Sequence, residues 1–200
     1  LHEKQGGYAN NTAAIYGLEG LELTSDERDF FRDADPAGFI LFKRNCETRD
    51  QVLGLTNSLR ELTGRADLPI LIDQEGGRVA RLKPPHWRAM PAAARFGEIA
   101  VVDRARAAAA VRINHELLAG ELRAIGINVD CTPVLDLKRP ETTTAIGDRA
   151  FAADPHLVAD LGRAAAEGLM AGGVTPVIKH MPGHGRATVD SHLDLPRIDA

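Results

Sequence analysis

The 200-residue chain has only two cysteines, Cys46 and Cys131, too few for a disulfide framework and without the paired spacing of a zinc site. Aromatic residues make up 4% of it, and its basic residues are scattered rather than striped. With a net charge of -4, it offers neither a stacking platform for bases nor an electrostatic pull on phosphates. Nucleic acid is therefore not an expected partner. No apolar run approaches the roughly 20 residues of a membrane span, so no transmembrane segment is expected. The opening "LHEKQGGYANNT" has no apolar core after its charged start, so it does not read as a signal peptide. Together with the two cysteines this predicts a reducing, cytoplasmic setting. Residues 1–12 are also poor in apolar side chains and read as a flexible segment.

The composition that is present, 44% hydrophobic, suits one sizeable globular core. Five short apolar runs read as strands: "AAIYGL" 13–18, "GFILF" 38–42, "LPILID" 68–73, "INVDCTPVL" 127–135 and "VTPVIKH" 174–180. Most are continuous rather than alternating, which suits strands of a parallel sheet buried on both faces. Helical segments separate them. Thr24 with Glu27, and Thr48 with Gln51, have capping-box spacing. Val52, Leu55, Leu59 and Leu62 share one helical face, with Gly64 as the stop. Residues 101–125 are alanine-rich and predict one long helix ending at Gly126. Asp154 and Pro155 predict a cap and first turn for a helix that stops at "AGG" 171–173.

The repeated strand-helix order predicts an α/β protein. An open sheet and a closed eight-stranded (β/α)8 TIM-type barrel both fit that order. A barrel takes about 250 residues. Five strands in 200 residues would be about the first five strand-helix units, with residues 13–200 forming the N-terminal part of a single barrel that stops before closure.

Polar residues cluster where the apolar runs end: "FKRN", "DQEGGR", "PVLD" and "KH". In both architectures the carboxyl ends of parallel strands carry the active site. Asp73 stands at such an end, where it can accept hydrogen bonds from a polar ligand or simply cap a turn. The adjacent Gly76 and Gly77 lack dinucleotide-fingerprint spacing. Asp148 and Arg149 can pair with each other, or Arg149 can clamp a ligand with its fork. Lys179 and His180 follow an apolar strand, and a lysine there needs a partner if it is buried.

"KHMPGHGRATVDSH", 179–192, holds three of the seven histidines. Two chemistries fit. His180, His184, Asp190 and His192 can supply metal ligands, but their spacing matches no compact zinc motif, so no metal or other cofactor is expected. Asp190 and His192 can instead work as a dyad, the carboxylate fixing the histidine tautomer while the other ring nitrogen moves a proton.

"DQEGGRV", "IGDRAF", "KHMPGHG" and "DSH", with "GFILFKRN" and "MPAAARFG", occur in an order that resembles glycoside hydrolase family 3, and its bacterial β-N-acetylhexosaminidase branch in particular. The resemblance implies a (β/α)8 barrel and a retaining glycosidase. Its carbohydrate substrate carries a terminal β-linked N-acetylglucosamine, in muropeptides of peptidoglycan recycling. It implies that Asp73, Arg81, Arg149, Lys179 and His180 hold the sugar, and that His192 is the acid/base paired with Asp190, where most glycosidases use a second carboxylate. It puts the nucleophile, an aspartate, on a later strand beyond residue 200. Phosphate in place of water as acceptor stays open. The other readings are a metal-dependent hydrolase built on the histidines, and a non-catalytic sugar-binding or truncated homologue.

Overall fold

The computed structural model describes residues 11–198. Most of the expected flexible segment, residues 1–10, lies outside the described residues, and its proposed end is corrected, because Thr12 already belongs to a strand. Five strands, β1 (Thr12–Tyr16), β2 (Pro36–Leu41), β3 (Ile70–Ile72), β4 (Val129–Asp130) and β5 (Thr175–Pro176), pair in parallel in the order β1-β2-β3-β4-β5. A doubly wound sheet reverses its strand order at a switch point. Here every strand pairs with the next in sequence, as in a barrel wall. The architecture is the expected α/β one, with a partial-barrel arrangement.

The helices are α1 (Ser25–Ala34), α2 (Arg49–Thr63), α3 (Ala93–Val102), α4 (Arg104–Arg123) and α5 (Pro155–Ala171). At the start of α1, Thr24 Oγ1 accepts from Glu27 N–H at 3.2 Å and Glu27 Oε2 accepts from Thr24 N–H at 3.0 Å, so the capping box closes. At α2 only half of it forms. Thr48 caps Gln51 N–H, but the Gln51 side chain accepts from Glu47 N–H at 2.9 Å and donates to Leu21 and Asn45 carbonyls. The helix expected over 101–125 is α4, which begins at Arg104, while residues 101 and 102 end α3 instead. Asp103 is extended. Its N–H closes α3 on Ile99 O at 2.9 Å, and its carboxylate caps Arg106 N–H at 2.9 Å to begin α4. A short acidic side chain competes for backbone donors, so this residue ends one helix and opens another within an alanine-rich run.

The later strands are shorter than the apolar runs that predict them. Pro69, Pro133 and Pro176 lack an N–H and interrupt the ladder. Pairing resumes beyond the gap at a parallel bridge between Val134 and Lys179, where Leu135 N–H donates to Lys179 O at 2.7 Å. That bridge positions the polar residues that follow β4 beside those that follow β5.

Phe39, Leu41, Ile70 and Ile72 face the helix layer and pack with Val52, Leu55 and Leu59 of α2 and Leu118 and Leu122 of α4. A second cluster joins Phe96 of α3, Val111 of α4 and Leu161 of α5. The sheet edges are β1 and β5, where Ile15, Val177 and Ile178 are exposed. Among the described residues no helix is long and apolar enough to cross a membrane.

Candidate active site

Strand pleating decides which side chains leave the helix layer. Ile70 and Ile72 point into it, so Asp73, one residue after Ile72, turns to the opposite face. There its Oδ1 accepts from Lys179 Nζ at 2.8 Å and its Oδ2 from Arg81 Nη2 at 3.2 Å. Burial pushes the Asp73 carboxyl up, but the Lys179 hydrogen bond and charge, with Arg81, outweigh it and hold the group below its usual value. Burial likewise lowers the Lys179 ammonium, and the Glu75 and Asp73 carboxylates more than reverse that.

Gln74 holds Arg81 from behind. Its N–H donates to Asp130 Oδ1 at 3.0 Å, and its Oε1 accepts from Arg81 and Leu82 N–H at 2.8 and 3.0 Å. Glu75 accepts a bidentate pair from Arg149, Nε to Oε2 and Nη2 to Oε1, both at 2.8 Å, and meets Lys179 Nζ at 2.6 Å. The turn after it needs glycine. Gly76 and Gly77 have φ of 95° and 57°, and a Cβ on Gly76 would collide with the Pro91 carbonyl.

The fork of Arg149 therefore grips Glu75, which overturns its pairing with Asp148 and leaves it no free fork for a ligand. Its Nη1 donates to Ala145 O at 3.1 Å and its Nη2 lies 3.3 Å from His180 Nε2. Asp148 pairs with Arg78 at 2.8 Å instead, and Arg78 also binds the carbonyls of Thr144 and Ala145. His180 Nδ1 sits 2.6 Å from Asp136 Oδ2, and Asp136 Oδ1 accepts from His184 N–H at 2.5 Å. Burial pushes the Asp136 carboxyl up, and these two donors outweigh it and hold it below its usual value.

Five predicted residues, Asp73, Arg81, Arg149, Lys179 and His180, thus form one network with Glu75 and Asp136. The predicted Asp190–His192 dyad also forms, with His192 Nδ1 2.7 Å from Asp190 Oδ1. It stands apart. The His192 side chain is 85% exposed, and no hydrogen bond or ion pair ties the dyad to the network among the described residues. The His192 N–H, the foremost donor to Asp190, holds that carboxyl below its usual value. The three histidines of the metal reading do not converge. His180 and His184 ring centroids are 6.3 Å apart, and no three His, Cys, Asp or Glu side chains among the described residues form a set that could hold a metal ion.

Glu75 and Asp136 are the site residues that the sequence did not assign. A signal for Glu75 was available: in a continuing extended chain, residues 73 and 75 share a face, so Glu75 follows wherever Asp73 points.

A parallel β/α wall whose strand-end carboxylates and cations converge on one face defines a barrel protein with a polar-ligand site. The chain belongs to glycosyl hydrolase family 3: the model of that family's N-terminal domain matches residues 13–200. A β-hexosaminidase of Xanthomonas campestris pv. campestris is 41% identical over 90% of this chain and 53% of its own length. The crystal structure of NagZ from Neisseria gonorrhoeae in complex with N-trifluoroacetyl-D-glucosamine is similar, with a TM-score of 0.86 and 37% identity over 93% of this chain and 54% of that one. A family 3 β-N-acetylglucosaminidase from Paenibacillus sp. str. FPU-7 gives a TM-score of 0.83 and 34% identity over 91% of this chain and 34% of its own. The chain spans about half the length of the curated relatives it matches.

Proposed function

We propose that residues 13–200 are the N-terminal part of a single (β/α)8 barrel, and that the whole protein is a retaining β-N-acetylhexosaminidase. In this reading it removes terminal N-acetylglucosamine from muropeptides in the cytoplasm. The observation that carries the reading is the Asp73–Lys179–Glu75–Arg149–His180–Asp136 network at the strand ends, with a histidine-aspartate dyad on the loop that follows it. Asp73, Arg81, Lys179 and His180 bind sugar hydroxyls, and Arg149 acts behind them through Glu75 and His180. The N-trifluoroacetyl-D-glucosamine held by the Neisseria relative supports this substrate class. Two unpaired cysteines suit a reducing compartment.

His192 gives its Nε2 proton to the glycosidic oxygen as the C1–O bond breaks, and Asp190 stabilises the ring through Nδ1. Asp73, Glu75 and Asp136 are each held by cations or backbone donors, which suits binding and supporting roles. The reading assigns the nucleophile to an aspartate outside these 200 residues. Water then attacks the glycosyl-enzyme, and His192 takes its proton.

The test is hydrolysis by the full-length protein and its His192→Ala variant. Alkyl β-N-acetylglucosaminides should lose about 10²- to 10⁴-fold, while activated aryl glycosides lose far less. Equal losses on both would remove His192 as the acid. Activity abolished by chelator and restored by zinc would favour the metal reading. Sugar binding without turnover would favour a non-catalytic homologue.

A further inference from the structure

We propose that Glu75 is the positioning residue of this site: its carboxylate sets where the Lys179 ammonium and the Arg149 guanidinium stand. The inference rests on the sugar-binding reading of Asp73 and Lys179. The Glu75 side chain is only 5% exposed, and its two oxygens carry three charge-assisted contacts, Lys179 Nζ and Arg149 Nη2 on Oε1 and Arg149 Nε on Oε2. It is committed to its neighbours rather than to a ligand.

Its own backbone is tightly held. Glu75 N–H donates to Val79 O at 3.0 Å, and Gly77 N–H donates to Met90 O at 2.8 Å. The carboxylate therefore hangs from a fixed turn. Lysine is a point charge on a flexible four-carbon stem. Asp73 alone would give that stem one anchor, and Asp73 is also the group that must hydrogen-bond the sugar. Glu75 supplies a second anchor that substrate does not compete for. Its other arm works through Arg149, whose Nη2 lies 3.3 Å from His180 Nε2 while Asp136 holds the opposite ring nitrogen. One buried carboxylate thus aims two of the groups that face the sugar, a lysine and a histidine adjacent in sequence.

The experiment measures kcat and KM for an aryl β-N-acetylglucosaminide against pH, using the full-length protein and its Glu75→Gln and Glu75→Asp variants. Displacing positioning groups by about 1 Å costs roughly a hundredfold. Glu75→Gln should lower kcat/KM by about that factor, mostly through KM. It should also lower the nitrogen-detected titration point of Lys179, because the ammonium loses one of the two anions that keep its proton. Glu75→Asp keeps the charge and should restore the Lys179 titration point while KM stays raised.

A residue needed only for folding would reduce the yield of active protein and leave KM and the Lys179 titration unchanged. That result overturns the proposal. If Glu75→Gln fails to fold, nitrogen-detected titration of Lys179 in the unsubstituted protein decides the matter. A value above that of an ordinary lysine supports the contact, and an ordinary or lower one overturns it. If the unsubstituted protein neither binds nor hydrolyses N-acetylglucosaminides, the functional reading fails, and the same titration still judges the Glu75–Lys179 contact.

Discussion

Replacing Lys179 with methionine keeps the length of the stem and removes the ammonium that joins Asp73 to Glu75. At an effective dielectric of about 20, a unit pair at the 2.8 Å of Lys179–Asp73 attracts by roughly 6 kcal/mol, and the Glu75 contact at 2.6 Å adds a similar amount. Desolvating an ammonium left only 13% exposed offsets several kcal/mol of that. Breaking a buried pair by removing one partner costs about 3–5 kcal/mol. Asp73 keeps Arg81 and Glu75 keeps Arg149, so Lys179→Met should fall at the low end, about 3 kcal/mol at neutral pH.

The loss should depend on pH. The folded Asp73 carboxyl is held below its unfolded value, so its contribution is present above that value, about 3.9, and disappears as pH falls through the folded one. In acid the unsubstituted protein forfeits the interaction that the variant never had, and the two stabilities converge. Urea unfolding of the full-length protein near neutral pH and below about pH 3.5 measures both numbers. A loss under about 1 kcal/mol at neutral pH, or one that does not shrink in acid, refutes the reasoning.

Asp130 is fully buried, and burial pushes its carboxyl well above the usual value, so its contribution is complete below about pH 3.9 and is lost as pH rises through the folded value. Asparagine keeps the acceptor for Gln74 N–H and cannot ionise. Asp130→Asn should therefore be near neutral in acid and stabilising by about 1 kcal/mol at neutral pH, and urea midpoints at the two pH values check it. Burial pushes the Cys46 thiol up to about 12 and, with the Asp73 charge adding to it, the Cys131 thiol up to about 11. Both should react with a thiol reagent at least about tenfold more slowly in the native protein than in the unfolded one at mildly alkaline pH. Equal rates would contradict the burial of these groups.

Legibility followed the range of the interactions involved. Caps were readable because they are local: Thr24 with Glu27 and Asp154 with Pro155 involve neighbours within one turn. Asp103 was missed because helix propensity summed over an alanine-rich run outweighs one capping residue on paper. In the chain the same residue gives its N–H to a carbonyl at the end of α3, accepts an N–H at the start of α4 and so separates the two helices. Arg149 was legible as a residue with a polar partner, Asp148 or a ligand, but Glu75 was not among the candidates. Asp148 is adjacent in sequence, yet the fork reaches Glu75, 74 positions away.

By itself, the order of apolar runs and helix signals determined an α/β chain with its polar residues at strand ends, because pleating and capping act over a few residues. The ordered motifs determined the family, and the two-residue spacing of Asp190 and His192 was enough to form their hydrogen bond. Only the tertiary structure decided that the strands run β1 to β5 without reversal. It alone gave Asp136 to His180 and made Glu75 the anchor of Lys179 and Arg149. Those pairings cross between separate strand ends. Buried charges take whichever opposite charge the fold brings within about 3 Å, and sequence distance carries no information about that choice.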